Sequence, residues 1–313
     1  MRALVVTNMY PTPARPALGS FVRDQVEALR RTDGVEVELF AFAPGNPAAY
    51  LKAADDLRRA HRDGGYDVVH AHFGLTAWPA LAAKGGAHAV TLHGTDLTHP
   101  RSRAITLGAL PFEDLVATVS EPLAAQLPAW TKRKRRAVLP AGVDVERFKP
   151  IPRLEARAKL GLDPAGPYLL FPADPNRPEK RYDRAAALAR EAGAAVEMRL
   201  LALGNTDPYE VPLWVNAANA VLVPSERESF GLAVLEALAC DVPVLATPVG
   251  IAPEVLRGVE GTHCGPFDQD AWRSALEPHL QSQDPRIHGR AKAEPYSTDR
   301  MAADVVAAWR ALA

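Results

Sequence analysis

The sequence predicts an α/β protein made of two doubly wound parallel-sheet domains. Three observations carry that prediction. The chain has 313 residues, enough for two domains that each bury a core. Short runs that are apolar nearly throughout alternate with longer amphipathic or alanine-rich runs, the pattern of parallel strands covered by helices on both faces. This alternation occurs twice, on either side of a stretch from Pro140 to Pro152 that has no apolar period and contains Gly142 and Pro150.

Taken in order, the first half offers strands at Ala3–Thr7, Val35–Phe42, Asp67–Ala71, Ala89–Leu92, Leu115–Val119 and Ala137–Leu139. The second half offers Tyr168–Phe171, Glu197–Leu203, Ala218–Val223, Pro243–Ala246 and Thr262–Cys264. Helices are expected at Phe21–Arg31, Leu51–Arg62, Leu75–Ala83, Arg181–Ala192, Val211–Ala217 and Gly231–Ala239, among others. A second boundary falls near Pro295-Tyr296-Ser297. The last stretch, Asp299–Ala313, reads as a helix with Ser297 or Thr298 as its N-cap. The expected domains are therefore 1–145 and 146–296, with the segment 297–313 packing back on the first.

Composition narrows the function classes. The net charge is −1 and the pI is near 6.8, so no global basic field exists to hold nucleic acid, and a membrane contact would need a local patch. The two cysteines, Cys240 and Cys264, exclude a disulfide framework, and no Cys/His group has zinc spacing. Residues 1–7 run straight into an apolar strand too short for a signal sequence, and no apolar run approaches the ~20 residues of a spanning helix. A cytoplasmic protein is expected on these grounds.

Open parallel sheets bind ligands beyond the carboxyl ends of their strands. The strand ending at Val223 runs into a polar turn, Pro224 to Ser229, that opens a helix near Phe230. Free amides and the dipole at that helix start suit an anion such as a phosphate. Glu228 lies in the turn and Glu236 about two turns further on, positions suited to accept hydrogen bonds from sugar hydroxyls. Taken alone, the two glutamates read as a helix-start charge at Glu228 and a solvated face at Glu236.

The wider pattern changes that balance. Ser225-Glu226-Arg227-Glu228-Ser229-Phe230-Gly231, then Glu236-Ala237-Leu238-Ala239, then Pro243-Val244-Leu245-Ala246-Thr247, resembles the donor-site signature of the retaining GT-B glycosyltransferases of family 4. Its hallmark is two glutamates with seven residues between them, which Glu228 and Glu236 match. Other segments follow in the family's order: Thr7 to Pro11 with Ala17 to Arg23, His70-Ala71-His72, Thr91 to Asp96, Ala117 to Ser120, and Pro140 to Asp144 with Phe148-Lys149-Pro150. The resemblance spans nearly the whole chain. It implies two Rossmann-like domains facing a central cleft, a first domain on the acceptor side and a second that binds a nucleotide sugar.

Residue roles follow from that resemblance. Glu228 would hold hydroxyls of the transferred sugar and Glu236 the nucleotide ribose. Phe230, Gly231 and Leu232, beside Ser229, would offer backbone amides to the sugar and diphosphate. Lys180 matches the diphosphate lysine, and Arg177 is the candidate for its companion arginine. Together these cations would do the work that a metal does in other transferases, so no metal and no cofactor is expected. Gly19 would let its loop approach the donor phosphates, and His93 would lie near the reacting centre. Three departures bear on phosphate geometry: Phe171-Pro172-Ala173-Asp174 replaces a glycine turn, Arg177 is only three residues before Lys180, and Gly250-Ile251 stands where a glycine pair is usual.

Plainer readings accompany several of these residues. Arg177, Lys180 and Arg181 also fit a solvated helix start, Gly19 a turn glycine, and His93 a satisfied strand-end histidine. His70 and His72 share one strand face and point together either to the cleft or to the core. Asp96 either orients His93 or caps a turn. The basic run Lys132-Arg133-Lys134-Arg135-Arg136 reads as a solvated loop or as a contact for anionic lipid at the inner face of the membrane. The expected function is retaining transfer of a hexose-type sugar from a UDP-, GDP- or ADP-linked donor to an acceptor hydroxyl on a glycan, a lipid-linked sugar or a small molecule. A nucleotide-sugar-binding protein without transfer and a nucleotide-sugar epimerase are the alternatives.

Overall fold

The computed structural model describes residues 1–61, 64–192 and 199–312. Arg62, the first two residues of the Glu197–Leu203 expectation and Ala313 lie outside the described residues. The chain forms two compact units. The first comprises Met1–Ala14, Leu18–Gly142 and Thr298–Ala313, and the second Arg15–Ala17 and Val143–Ser297.

The first unit carries a six-stranded sheet made of β1 (Arg2–Thr7), β2 (Glu36–Ala41), β3 (Tyr66–His72), β4 (Gly85–Leu92), β5 (Leu115–Thr118) and β6 (Arg135–Val138). Its spatial order is β2-β1-β3-β4-β5-β6, and every pairing is parallel. The apolar strands are buried as runs rather than in alternation, which requires cover on both faces. The helices Ser20–Arg30 and Thr298–Arg310 supply part of it: Val22, Val26 and Leu29 pack with Met301, Val305, Val306 and Trp309 over Ala3 and Val5 of β1.

The second unit carries a five-stranded parallel sheet of β7 (Tyr168–Phe171), β8 (Arg199–Ala202), β9 (Ala220–Val223), β10 (Val244–Ala246) and β11 (His263–Cys264), in the order β11-β10-β9-β7-β8. Leu169, Phe171, Leu222 and Leu245 form a core with Leu188, Trp272 and Leu276. Two parallel α/β sheets are the architecture the alternating pattern predicts.

Local departures have local causes. β4 begins at Gly85, four residues before the expected start, because Gly85 and Gly86 let β3 approach: a Cβ on Gly85 would lie 2.6 Å from the Val69 side chain. The helix Pro47–Ala60 starts earlier than expected, since Asn46 caps it by accepting from the Ala49 N–H and Pro47 suits its first turn. The helix Gln269–Gln281 contains Pro278, which reads as a breaker. Asp268 caps it, and Trp272 and Leu276, one turn apart, bury its inner face.

Candidate functional site

In the second unit the chain leaves β7 for β8 on one side and returns to β9 on the other, so the switch point lies between β7 and β9. Lys180 comes from the loop after β7 and Glu228 from the loop after β9. The Lys180 ammonium donates to both oxygens of the Glu228 carboxylate, at 2.7 and 2.6 Å, and the Ser225 hydroxyl adds a hydrogen bond of 2.7 Å. Both side chains are largely enclosed, at 15% and 11% exposure, so the charges are weakly screened and hold each other in place.

Backbone and side-chain contacts lace these two loops together. The Glu226 N–H donates to the Glu179 carbonyl at 2.9 Å, Arg184 donates to the Pro224 carbonyl at 3.1 Å, and Arg181 bonds the carboxylates of Glu226 and Asp183. Arg181 sits in the left-handed region at φ 57°, immediately before the helix Tyr182–Ala192, and Asp183 in the first turn offsets its charge against the dipole. Arg177 does not join Lys180 and Glu228. It is 55% exposed and bonds Glu179, at 2.9 Å from Nε and 2.6 Å from Nη2.

Gly231, at φ 99°, opens the helix Leu232–Ala239, whose first turn directs amides back over the loop. Phe230 is buried beside the Tyr296 ring, and its carbonyl accepts from the Ile251 N–H at 2.7 Å. Gly250 accounts for half of the expected glycine pair. It lies at φ 60°, and a Cβ there would sit 2.3 Å from the Phe230 oxygen. Ile251 has an ordinary φ of −81°, so a side chain is admissible at the second position. Where the first loop lacks a glycine, Asp174 makes the turn by accepting from the Asn176 backbone N–H at 2.9 Å. Ser229 and Glu236 are partly buried, each with partners in the fold.

The first unit gathers its polar groups at the carboxyl ends of β3 and β4. Gly19, at φ 64°, precedes the helix Ser20–Arg30, and a Cβ there would lie 2.1 Å from the Met9 carbonyl oxygen. Asp96 resolves as a turn clamp. Its buried carboxylate accepts the backbone N–H groups of Gly74 (2.6 Å), Gly94 (3.2 Å) and His93, tying the loop after β3 to the loop after β4. Burial pushes this carboxyl up to about 6, against the pull of those amides.

His70 and His72 point into the core, on one face as the strand period requires. His70 meets Thr91 Oγ1 through Nε2 at 2.8 Å and Trp309 Nε1 through Nδ1 at 2.9 Å. His72 Nδ1 lies 3.1 Å from Nε2 of His93, and the Phe21 ring packs 4.9 Å from the His93 ring. Burial lowers His72 to about 4 and holds His70 well below the ordinary imidazole value. His93, partly exposed, is also held well below it, by desolvation first and by His72 second.

Sequence reasoning did not single out Ser225 or Trp309. Ser225 stands three residues before Glu228 in the same motif, a signal that was available. Trp309 lies 239 residues from His70 and carries no local signal. Among the described residues no group of acidic, histidine and cysteine side chains could hold a metal ion, and no helix is long and apolar enough to cross a membrane.

Comparison with known proteins adds sequence likeness to this geometry. Residues 18–147 match the family described as Glycosyltransferase Family 4, and residues 176–294 match Glycosyl transferases group 1. A D-inositol 3-phosphate glycosyltransferase of Mycolicibacterium gilvum is 32% identical over 336 residues, covering 90% of this chain and 72% of that protein. Its counterpart in Mycobacterium marinum is 31% identical over 324 residues, covering 87% and 67%. Among solved structures, sucrose-phosphate synthase from Thermosynechococcus elongatus superposes with a TM-score of 0.77 at 18% identity, over 100% of this chain and 99% of the other. Anabaena HepE in complex with UDP gives 0.71 at 16% identity, over 99% and 100%. Identities this low speak to fold alone.

Proposed function

The chain belongs to glycosyltransferase family 4, with its GT-B fold, and on that premise we propose that it transfers a hexose from a nucleoside diphosphate to an acceptor hydroxyl with retention of anomeric configuration. The observation that carries the reading is the enclosed Lys180–Glu228–Ser225 cluster at the β7/β9 switch point, beside the start of the helix Leu232–Ala239. A lone ion pair at a strand end would be ordinary. One assembled from two loops at the edge where parallel sheets take ligands supports a donor site.

In this reading the donor diphosphate takes Lys180 and the first helix amides, while Glu228, held by Ser225, accepts hydrogen bonds from sugar hydroxyls. Glu236 holds the ribose, with Ser229, Phe230, Gly231 and Leu232 along the sugar and phosphates. Arg177 supplies a second cation once it leaves Glu179, and Gly19 lets its loop approach the phosphates. The bond from the anomeric carbon to the diphosphate oxygen breaks as the acceptor oxygen attacks the same face. The leaving phosphate oxygen takes the acceptor proton, and Lys180 and Arg177 stabilise its charge, so that turnover needs no metal. The relatives' name makes D-inositol 3-phosphate the first acceptor to test, and the UDP complex of HepE makes UDP-hexoses the first donors.

The test is nucleoside diphosphate release from UDP-, GDP- and ADP-hexoses in the presence of chelator, with and without D-inositol 3-phosphate, for wild type, Glu228→Ala and Lys180→Ala. Turnover of one donor that either substitution lowers by roughly 100-fold or more supports the assignment. An epimerised donor, donor binding without transfer across glycan, lipid-linked and small-molecule acceptors, or an inverted product would each overturn it.

A peripheral membrane contact is part of the proposal. Lys132, Arg133 and Arg135 are exposed, close in sequence to half-exposed Trp130, whereas Lys134 is tied to the Glu113 carbonyl (3.0 Å) and Arg136 to that of Ala124 (2.9 Å). The Lys134 tether brings the run beside the Pro111-Phe112 turn, where Phe112 is 59% exposed. Charge reversal of Lys132, Arg133 and Arg135 is expected to abolish co-sedimentation with phosphatidylserine vesicles while leaving donor turnover in solution intact. Equal sedimentation of both proteins would sink this contact.

A further inference from the structure

Three histidines lie in sequence across the carboxyl ends of β3 and β4, and their outermost partner comes from the final helix. The centroids of His70 and His72 are 4.9 Å apart and those of His72 and His93 5.3 Å apart, with 24° between ring planes in both pairs. The indole N–H of Trp309 can only donate, so His70 Nδ1 must accept. His70 is therefore neutral and carries its proton on Nε2, which it gives to Thr91 Oγ1.

His72 then faces a choice between two tautomers. Its Nε2 is buried with no partner. A proton there would be an unpaired buried donor, whereas a bare lone pair costs less. The proton therefore sits on Nδ1, which donates to His93 Nε2 across 3.1 Å. His93 accepts on Nε2, so its own proton lies on Nδ1. Among the described residues, the carboxylate bonded to this segment is that of Asp96, which accepts backbone N–H groups, those of Gly74, His93 and Gly94 among them, and no bond from the rings.

From these contacts we infer that His72 is a positioning residue that locks His93 in its Nδ1–H tautomer, making it a hydrogen-bond donor to an oxygen of the transferred sugar rather than a base acting through Nε2, while His70, fixed by Trp309 and Thr91, only stacks against the His72 ring and holds its place. Phe21 covers one side of the His93 ring, and Asp96 fixes its backbone, so the ring is held as well as its proton. The role in transfer rests on the transferase function proposed above and on the expectation that His93 lies near the reacting centre. The tautomer lock does not.

Ring tautomers of the full-length protein are read directly from long-range 1H–15N correlations of histidine-labelled protein at neutral pH. The expected pattern is Nε2–H for His70, Nδ1–H for His72 and Nδ1–H for His93. An Nε2–H form of His72 or His93 overturns the lock, whatever the transferase activity. The kinetic arm compares His72→Leu with His72→Asn, whose side-chain amide reproduces a donor at the Nδ1 position. The leucine variant is expected to lower kcat by roughly 10- to 100-fold with little change in donor KM, and the asparagine variant to recover most of that loss. Trp309→Phe, which removes only the indole N–H, is expected to mix the His70 tautomers. The tautomers as stated together with a full-rate His93→Ala transferase would overturn the positioning role while leaving sugar transfer itself standing.

Discussion

The side chain of Glu113 sits 1% exposed at the turn before β5, and one of its carboxylate oxygens has no partner. Burial holds its proton up to about pH 8, against 4.5 for the free side chain. The native state thus keeps a proton that the unfolded chain releases between those values. Its contribution to stability is complete below pH 4.5 and declines as pH rises through 8, by about 1.4 kcal/mol per unit. Glu113→Gln keeps the shape and cannot ionise. Its Tm relative to wild type is expected to climb steadily from pH 4.5 to 8 and then level off. A difference that ignores pH would show the carboxyl to be ionised in the native protein. The same dependence on surroundings separates Lys180, enclosed with Glu228, from Arg177, three residues earlier and paired with Glu179 at the surface.

The loops after β7, β9 and β10 show how much of an element is written locally. Gly250 is forced by its own backbone, at φ 60° and against the Phe230 oxygen. Gly250→Ala is expected to cost about 1–3 kcal/mol and to weaken donor binding, because the Phe230 carbonyl must move. Gly34→Ala is the control: φ is also positive, at 74°, but nothing lies within 4 Å, so only backbone strain of about 1 kcal/mol is expected and donor affinity stays unchanged. Equal effects of the two would rule out the Phe230 contact as the cause. The β9 strand and the helix after it were legible because apolar runs, a polar turn and a glycine are readable in sequence order. The start of β4 was not, because Gly85-Gly86 reads as a turn until Val69 of β3 is seen packing against it. The helix Pro100–Ala109 escaped notice because only Thr106 and Ala109 are buried, which leaves no apolar stripe to detect.

The final helix, Thr298–Arg310, belongs to the unit that begins at Met1, so the first core is completed by the last residues of the chain. Met301, Val305, Val306 and Trp309 are all buried there, and at about 1.5–3 kcal/mol for each large side chain their loss rivals the net stability of a domain. A chain ending at Ser297 is therefore expected to lose the unfolding transition of the first unit in calorimetry while keeping that of the second. Retention of both transitions would contradict this account of the core. The sequence by itself determined the alternation of strands and helices, the order of the motifs and the spacing of Glu228 and Glu236, since periodicity and spacing are properties of neighbouring residues. Only the tertiary structure decided that Asp96 clamps backbone rather than His93's ring, that Arg177 turns to Glu179, and that Trp309 meets His70 from 239 residues away. Those outcomes depend on which surfaces pack together, and the energy that selects the packing comes from contacts between distant segments that no local pattern encodes.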